Sequence, residues 1–330
     1  MIGVAVLGAG RIGKIHARNA AANARCRLVA VADPVAEAAR SLAAEVGCEA
    51  STDPKGTAAR ADVDAIVIGT PTDSHIEFML GGVRQGKAVL CEKPIGLDIK
   101  TVDAAVAEAS KPGARVMIAF NRRFDPSAAA LKRAIAAGEI GDLRQVIITS
   151  RDPGPPPLSY IATSGGIFRD MMIHDFDMAR WLLDEEPREV SAMASCLVDP
   201  AIGKAGDHDT LMVIMRTASG RQCHINNCRQ AVYGYDQRFE VFGSTGMLLN
   251  DNLRPSTIRR YNAGETEARE PLLNFFLERY ADAYRLELDA FLQAVESKSA
   301  MPVTVRDGRQ ALRLADAALE SAETGRSVLV

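Results

Sequence analysis

The sequence lacks the features that would point to nucleic acid, membrane or metal. Acidic residues number 42 and basic residues 39, a formal net charge of −3. No basic excess is available to hold a phosphate backbone, and no run of like charge suggests a tail. No apolar run is long enough to cross a bilayer. None of the six cysteines (Cys26, Cys48, Cys91, Cys196, Cys223 and Cys228) forms a Cys-x-x-Cys pair. That usage predicts a reduced, cytoplasmic protein. Cys223-His224 with Cys228 superficially suggests metal ligands, but alternating residues of a strand are the simpler reading, and no metal is expected. Ile2–Leu7 already reads as a buried strand, which is expected to leave no room for a signal peptide. Neither an internal repeat nor a low-complexity segment is present.

What remains is an ordinary globular composition, 47% hydrophobic and 25% charged. A chain of 330 residues exceeds a typical single core, so two domains are expected, 1–123 and 124–330. The first part alternates short apolar runs (Ile2–Leu7, Cys26–Ala32, Ala65–Gly69, Ala88–Cys91, Val116–Phe120) with amphipathic stretches (Ile12–Ala22, Val35–Val46, Ser74–Gln85, Asp98–Ala109). This predicts an α/β fold, a doubly wound parallel sheet covered on both faces. After a helix over Pro126–Ala137 the character changes. Strands are predicted at Leu143–Ser150, Glu189–Leu197, Thr210–Thr217, Gln222–Cys228, Arg238–Phe242 and Thr257–Tyr261. A helix is expected over Asp170–Leu183, and two more over Phe275–Glu296 and Arg306–Glu323. Turn residues link most of these strands, so the second domain is α+β with a large, mostly antiparallel open sheet.

Gly8-Ala9-Gly10-Arg11-Ile12-Gly13 follows the first strand and opens a helix. In that context the glycines serve a tight turn, close approach of backbone to a pyrophosphate, and helix–strand packing. Asp33 ends the second strand, twenty residues after Gly13, where an acid accepts hydrogen bonds from ribose hydroxyls. Pro34 and Val35 follow it and supply no positive charge for a 2′-phosphate, which favours NAD over NADP. Polar clusters sit at the carboxyl ends of later strands: Thr70-Pro71-Thr72, Glu92-Lys93-Pro94 and Asn121-Arg122-Arg123. His75 and Arg11 are further candidates for the cofactor side.

Gly165-Gly166-Ile167-Phe168-Arg169-Asp170-Met171-Met172-Ile173-His174-Asp175 carries the other polar constellation. On one helix Asp170 and His174, four positions apart, face the same way and pair a carboxylate with an imidazole. Asp175 and Asp177 are read equally well as helix-face acids pairing with arginines such as Arg180. Arg123, Asp152, Tyr233 and Tyr235 are further candidate hydrogen-bonding side chains, the two tyrosines sharing one strand face by their spacing, which ordinary sheet packing explains equally well.

Glu92-Lys93-Pro94 after a Rossmann strand, with Gly165-Gly166 and Asp170…His174 downstream, resembles the glucose–fructose oxidoreductase/inositol dehydrogenase (Gfo/Idh/MocA) family. The likeness covers nearly the whole chain. Residues 119–126, 150–157, 233–238 and 275–280 narrow it to the bacterial inositol-oxidising members. The resemblance implies that Lys93, Asp170 and His174 serve the proton chemistry of hydride transfer from a cyclitol to NAD. It implies substrate contacts from Lys93, Arg123, Asp152, Asp170, His174 and Tyr233. It also implies a cis bond at Lys93-Pro94, and a homotetramer. By this reading the two halves serve one active site that oxidises myo-inositol. The competing readings are another cyclitol or an aldose as substrate, and a dinucleotide-responsive regulator without turnover.

Overall fold

Valine, isoleucine and alanine dominate the first strands. The computed structural model, which describes residues 1–330, places them in a sheet buried on both faces. In chain order the elements are β1 (Ile2–Leu7), α1 (Arg11–Ala22), β2 (Cys26–Ala32), α2 (Ala36–Val46), β3 (Glu49–Ser51), α3 (Pro54–Ala58), β4 (Ala65–Ile68), α4 (His75–Arg84), β5 (Ala88–Cys91), α5 (Ile99–Ala109) and β6 (Arg115–Ile118). All strands are parallel, in the order β3-β2-β1-β4-β5-β6. The order reverses between β1 and β4, where doubly wound sheets open a crevice at their carboxyl ends. β3 escapes sequence reading because three residues carry no periodicity.

α6 (Pro126–Ala136) starts where the sequence predicts. Asp125 accepts the Ala128 N–H at 3.1 Å, and Pro126 occupies the first helical position. There follow β7 (Leu143–Arg151), α7 (Leu158–Ser164), α8 (Gly166–Asp170), α9 (Ile173–Leu183), β8 (Pro187–Ser195), α10 (Pro200–Lys204), β9 (Thr210–Thr217), β10 (Gln222–Cys228), β11 (Asp236–Gly243) and β12 (Met247–Asn250). A small ladder joins β13 (Arg259–Arg260) to β14 (Ala268–Arg269). α11 (Phe276–Arg279), α12 (Ala281–Ser297), α13 (Val305–Thr324) and β15 (Val328–Leu329) close the chain. The large sheet runs β12-β11-β7-β10-β9-β8-β15, antiparallel throughout except where β7 meets β10.

Side chains alternate across this sheet as the pleat requires. Leu211, Val213 and Met215 are buried while Met212 and Ile214 are exposed. α9 packs on β7 and β10, over the buried face. Cys223 and His224 accordingly belong to opposite faces of β10.

The chain divides into two compact units, Met1–Phe124 with Asp282–Leu312, and Asp125–Ala281 with Arg313–Val330. The expectation of an unbroken second domain over 124–330 is therefore corrected, because most of α12 belongs to the first unit. Its apolar stripe buries Tyr284, Leu288, Phe291 and Leu292. Arg25 reaches Asp289 at 3.0 Å and Glu296 at 2.7 Å, and Arg115 donates to the Ala294 and Val295 carbonyls. The helix expected over Phe275–Glu296 is interrupted at Tyr280, between α11 and α12.

Candidate active site

In the first unit the glycine loop is shaped by contact with its own backbone. Gly8 has φ +98°, and a Cβ there would stand 2.5 Å from the Gly69 carbonyl oxygen; one on Gly13 would stand 1.9 Å from the Gly8 carbonyl. These two glycines are required by the protein itself. A Cβ on Gly10 meets nothing within 4 Å, so packing does not explain that glycine. Gly10 opens α1 with no side-chain cap, and no acidic residue lies in the first turn. The loop thus offers bare N–H groups and a positive helix end to an anion, which fits a dinucleotide pyrophosphate. Arg11 is exposed and Ile12 half-buried at the start of this helix.

Asp33 is half-buried. It accepts the Ala9 N–H through Oδ2 and the Val35 N–H through Oδ1, each at 2.8 Å. Its negative charge is therefore fixed against the glycine loop at the end of β2. The fit to a ribose diol is chemical: carboxylate oxygens accept, and hydroxyls donate.

The loops after β4, β5 and β6, three adjacent strands, hold the remaining first-unit candidates. Thr70 Oγ1 accepts from Ser74 Oγ at 2.7 Å, and Pro71 leads into a 3₁₀ turn over Thr72–Ser74. His75 is buried, with Nδ1 at 2.8 Å from the Pro94 carbonyl and Nε2 at 2.9 Å from the Thr70 carbonyl. These contacts make it a strut between two loops. The Lys93-Pro94 bond is cis. Glu92 is buried, its Oε1 2.7 Å from His16 Nε2. Arg123 donates to Asp307 at 3.0 Å.

In the second unit the Asp170–Leu183 stretch is two helices. α8 ends at Asp170 and α9 begins at Ile173, with Met171 and Met172 between. Met172 N–H reaches the Ile167 carbonyl, five residues back, so the regular ladder is broken there. The single-helix spacing argument for Asp170 and His174 is corrected accordingly. Gly165 and Gly166 have φ +85° and +81° and turn α7 into α8. Asp207 Oδ1 accepts the Ile167 N–H at 2.9 Å, and its Oδ2 takes Arg229 at 3.0 Å, with both side chains buried. A buried ion pair thus caps the short helix that carries Asp170. Asp170 Oδ1 accepts from the Tyr160 hydroxyl at 2.9 Å.

The flanking acids are structural in their observed contacts. Asp175 accepts from Asn227 at 2.8 Å, and Asp177 lies 3.7 Å from Arg180. The expected shared strand face for Tyr233 and Tyr235 is also corrected, since both precede β11 in a turn at Gly234, φ +120°. Tyr235 packs edge-on to Phe275 and Tyr280 in the core. Tyr233 accepts from Arg151 at 2.8 Å and donates to Asp236 at 2.7 Å. Burial, and then the hydrogen bond donated to Asp236, push the Tyr233 hydroxyl pKa up. By strand register Arg151 and Asp236 belong to the exposed sheet face, opposite α9. Asp152 continues β7, its N–H donating to the Cys228 carbonyl and its carbonyl accepting from Ala231.

Sequence reasoning missed Tyr160, Asp207 and His16. Ten residues and a helix break separate Tyr160 from Asp170, and no spacing rule spans that.

Residues 2–120 match the oxidoreductase family with an NAD-binding Rossmann fold, and residues 128–249 match the GFO/IDH/MocA C-terminal domain. The chain belongs to the GFO/IDH/MocA family. Within this family it is 50% identical to the inositol 2-dehydrogenase of Rhizobium meliloti, over 98% of each chain. The crystal structure of a myo-inositol dehydrogenase from Corynebacterium glutamicum superposes with TM-score 0.97 at 48% identity, covering 100% of this chain and 99% of that one. A scyllo-inositol dehydrogenase from Lactobacillus casei, solved with bound NAD(H) and scyllo-inositol, gives 0.93 at 30% identity with the same coverage. This GFO/IDH/MocA member is an NAD-dependent oxidoreductase acting on a CH–OH donor.

Proposed function

We propose that the protein oxidises myo-inositol to 2-keto-myo-inositol, with NAD bound by Gly8, Gly10, Arg11, Ile12, Gly13, Asp33, the Thr70-Pro71-Thr72 turn, His75, Glu92 and Lys93. The observation that carries this is half-identity, over essentially the full length, to a protein described as an inositol 2-dehydrogenase. When bound, NAD accepts the hydride from the carbinol carbon. The chain must then place that carbon and take the hydroxyl proton. His174 is assigned as the base. Asp170, itself steadied by Tyr160, is assigned to orient the imidazole and balance its positive charge once protonated. Lys93 is assigned to donate to the reacting oxygen and stabilise the negative charge that develops there. Arg123, Asp152 and Tyr233 are assigned to the other ring hydroxyls.

Scyllo-inositol is the second substrate to consider, because a structural neighbour is a scyllo-inositol dehydrogenase. Self-association into a homotetramer is proposed from the exposed sheet face. There Met193 pairs with Met212 across β8 and β9, and Ile214, Ile147 and Leu249 lie in the next row. Such a face reads as an interface between copies. No helix is long and apolar enough to cross a membrane. A cytoplasmic role in inositol catabolism follows from the cysteine usage and the proposed substrate.

The test is NADH formation with myo-, scyllo- and chiro-inositol and glucose, for the native chain and for Lys93→Ala and His174→Ala. Each variant should lose ~10²–10⁴ in kcat, and His174→Ala should keep its NAD affinity. Near-normal turnover in a folded variant rejects the assignment. Preference for glucose rejects the substrate.

A further inference from the structure

Glu287 is an acid where the sequence pattern calls for an apolar residue. It lies on the buried stripe of α12 with Tyr284, Leu288 and Phe291, and is 0% exposed. Neither of its carboxyl oxygens has a hydrogen-bond partner in the protein. The Tyr284 ring, one turn earlier on the same face, meets the buried His16 ring edge-on with centroids 5.8 Å apart. His16 in turn holds Glu92, the residue before Lys93. The cluster therefore joins three elements of the first unit: α1, whose start is the glycine loop; the loop after β5; and α12.

We propose that Glu287 is a positioning residue for Lys93, acting through Glu92 and His16. A wholly buried carboxylate without hydrogen bonds is strongly disfavoured, and a second carboxylate nearby disfavours it further. Burial first, and then the charge of Glu92, hold the Glu287 carboxyl well above its ordinary range. Glu287 thus keeps its proton, and Glu92 is left to hold His16, whose Nε2 lies 2.7 Å from Glu92 Oε1. That bond ties the Lys93 loop to the helix that faces the dinucleotide phosphates. The other charges along α12 belong to a separate group, in which Asp289 and Glu296 pair with Arg25. Ionising Glu287 would set two buried carboxylates against each other and loosen the loop from which Lys93 extends.

The inference rests on the assignment of Lys93 to the reacting oxygen, and its test separates the two. Infrared difference spectra at neutral pH should contain a protonated-carboxyl stretch that Glu287→Gln removes. The raised value in the fold means that the stability Glu287 provides is complete below its ordinary pKa of 4.5 and is lost as pH rises toward the folded value. The Tm of Glu287→Gln should therefore gain on the native chain as pH increases. Glu287→Gln should also retain turnover near neutrality and carry it further into alkaline pH. Glu287→Leu should lower kcat by ~10–100-fold, with a much smaller change in NAD affinity measured by calorimetry. An infrared band that survives in Glu287→Gln, or identical alkaline limbs in the two proteins, overturns the proposal. Normal kcat in a folded Glu287→Leu does the same. If Glu287→Leu does not fold, the pH profile of Glu287→Gln decides. Full turnover in Lys93→Ala defeats the catalytic assignment, and the proposal with it, while the infrared and thermal signatures still report the protonation of Glu287.

Discussion

The carboxylate of Asp33 accepts the backbone N–H of Ala9 at 2.8 Å, so the acid expected to meet the ribose also fastens the glycine loop. Asp33→Ala should raise the KM for NAD by ~10–100-fold, the equivalent of losing a hydrogen bond to a charged group, and narrow the preference over NADP. It should lower Tm as well, because Ala9 and Val35 lose their acceptor. Steady-state kinetics with both dinucleotides, beside a thermal melt, measures both effects. An unchanged NAD:NADP ratio would remove Asp33 from cofactor selection.

Gly166 is held at φ +81°, and an added Cβ would come within 2.8 Å of Asp207 Oδ1. Gly166→Ala should cost about 1–3 kcal/mol from the backbone conformation and disturb the cap on α8. Urea midpoints should fall, and kcat should fall more than KM rises. Gly154→Ala, where a Cβ meets nothing within 4 Å, is the control and should change stability by less than about 0.5 kcal/mol.

Asp209 is fully buried and accepts from the N–H groups of Leu197, Val198 and Asp199 and from the Thr210 hydroxyl. Burial pushes its carboxyl up, but the combined donors outweigh burial and leave it below its ordinary value of 3.8. A depressed folded value means that this stability is present above the unfolded pKa and is lost as pH falls through the folded one. Asp209→Asn should therefore cost about 2–3 kcal/mol at pH ~7, and the deficit should shrink below roughly pH 4. Denaturant titrations across that range test the sign; a constant deficit would exclude ionisation as the source.

Ile214 stands at the centre of the exposed sheet face, 58% exposed, between Ser191 and His224 on the neighbouring strands. Ile214→Asp should leave the protomer folded and shift its sedimentation toward smaller species. An unchanged distribution would place the assembly surface elsewhere.

Much of the nucleotide half was legible because its signals are local. Gly8 to Gly13 act within one turn, and the strand–helix alternation repeats the hydrophobic pattern that a doubly wound sheet imposes. The second half was less legible. The stretch from Asp170 to His174 has helical composition throughout, and nothing in it announces the break at Met171–Met172. Tyr233 and Tyr235 have strand spacing, yet Gly234 turns the chain and sends one ring to the core and the other to Arg151 and Asp236.

By itself the sequence determined the family, the Rossmann architecture and the residue types that bear the chemistry. These depend on short-range periodicity, on glycine's conformational freedom and on motifs a few residues long. Only the tertiary structure decided that α12 belongs with the first unit, that Asp207 and Arg229 cap the helix of Asp170, and that the α12 face carrying Glu287 meets, through Tyr284, the His16 that holds Glu92. Those relationships join residues far apart in the chain. Their energetics come from burial, which makes an unpaired charge costly only once the fold has excluded water from it.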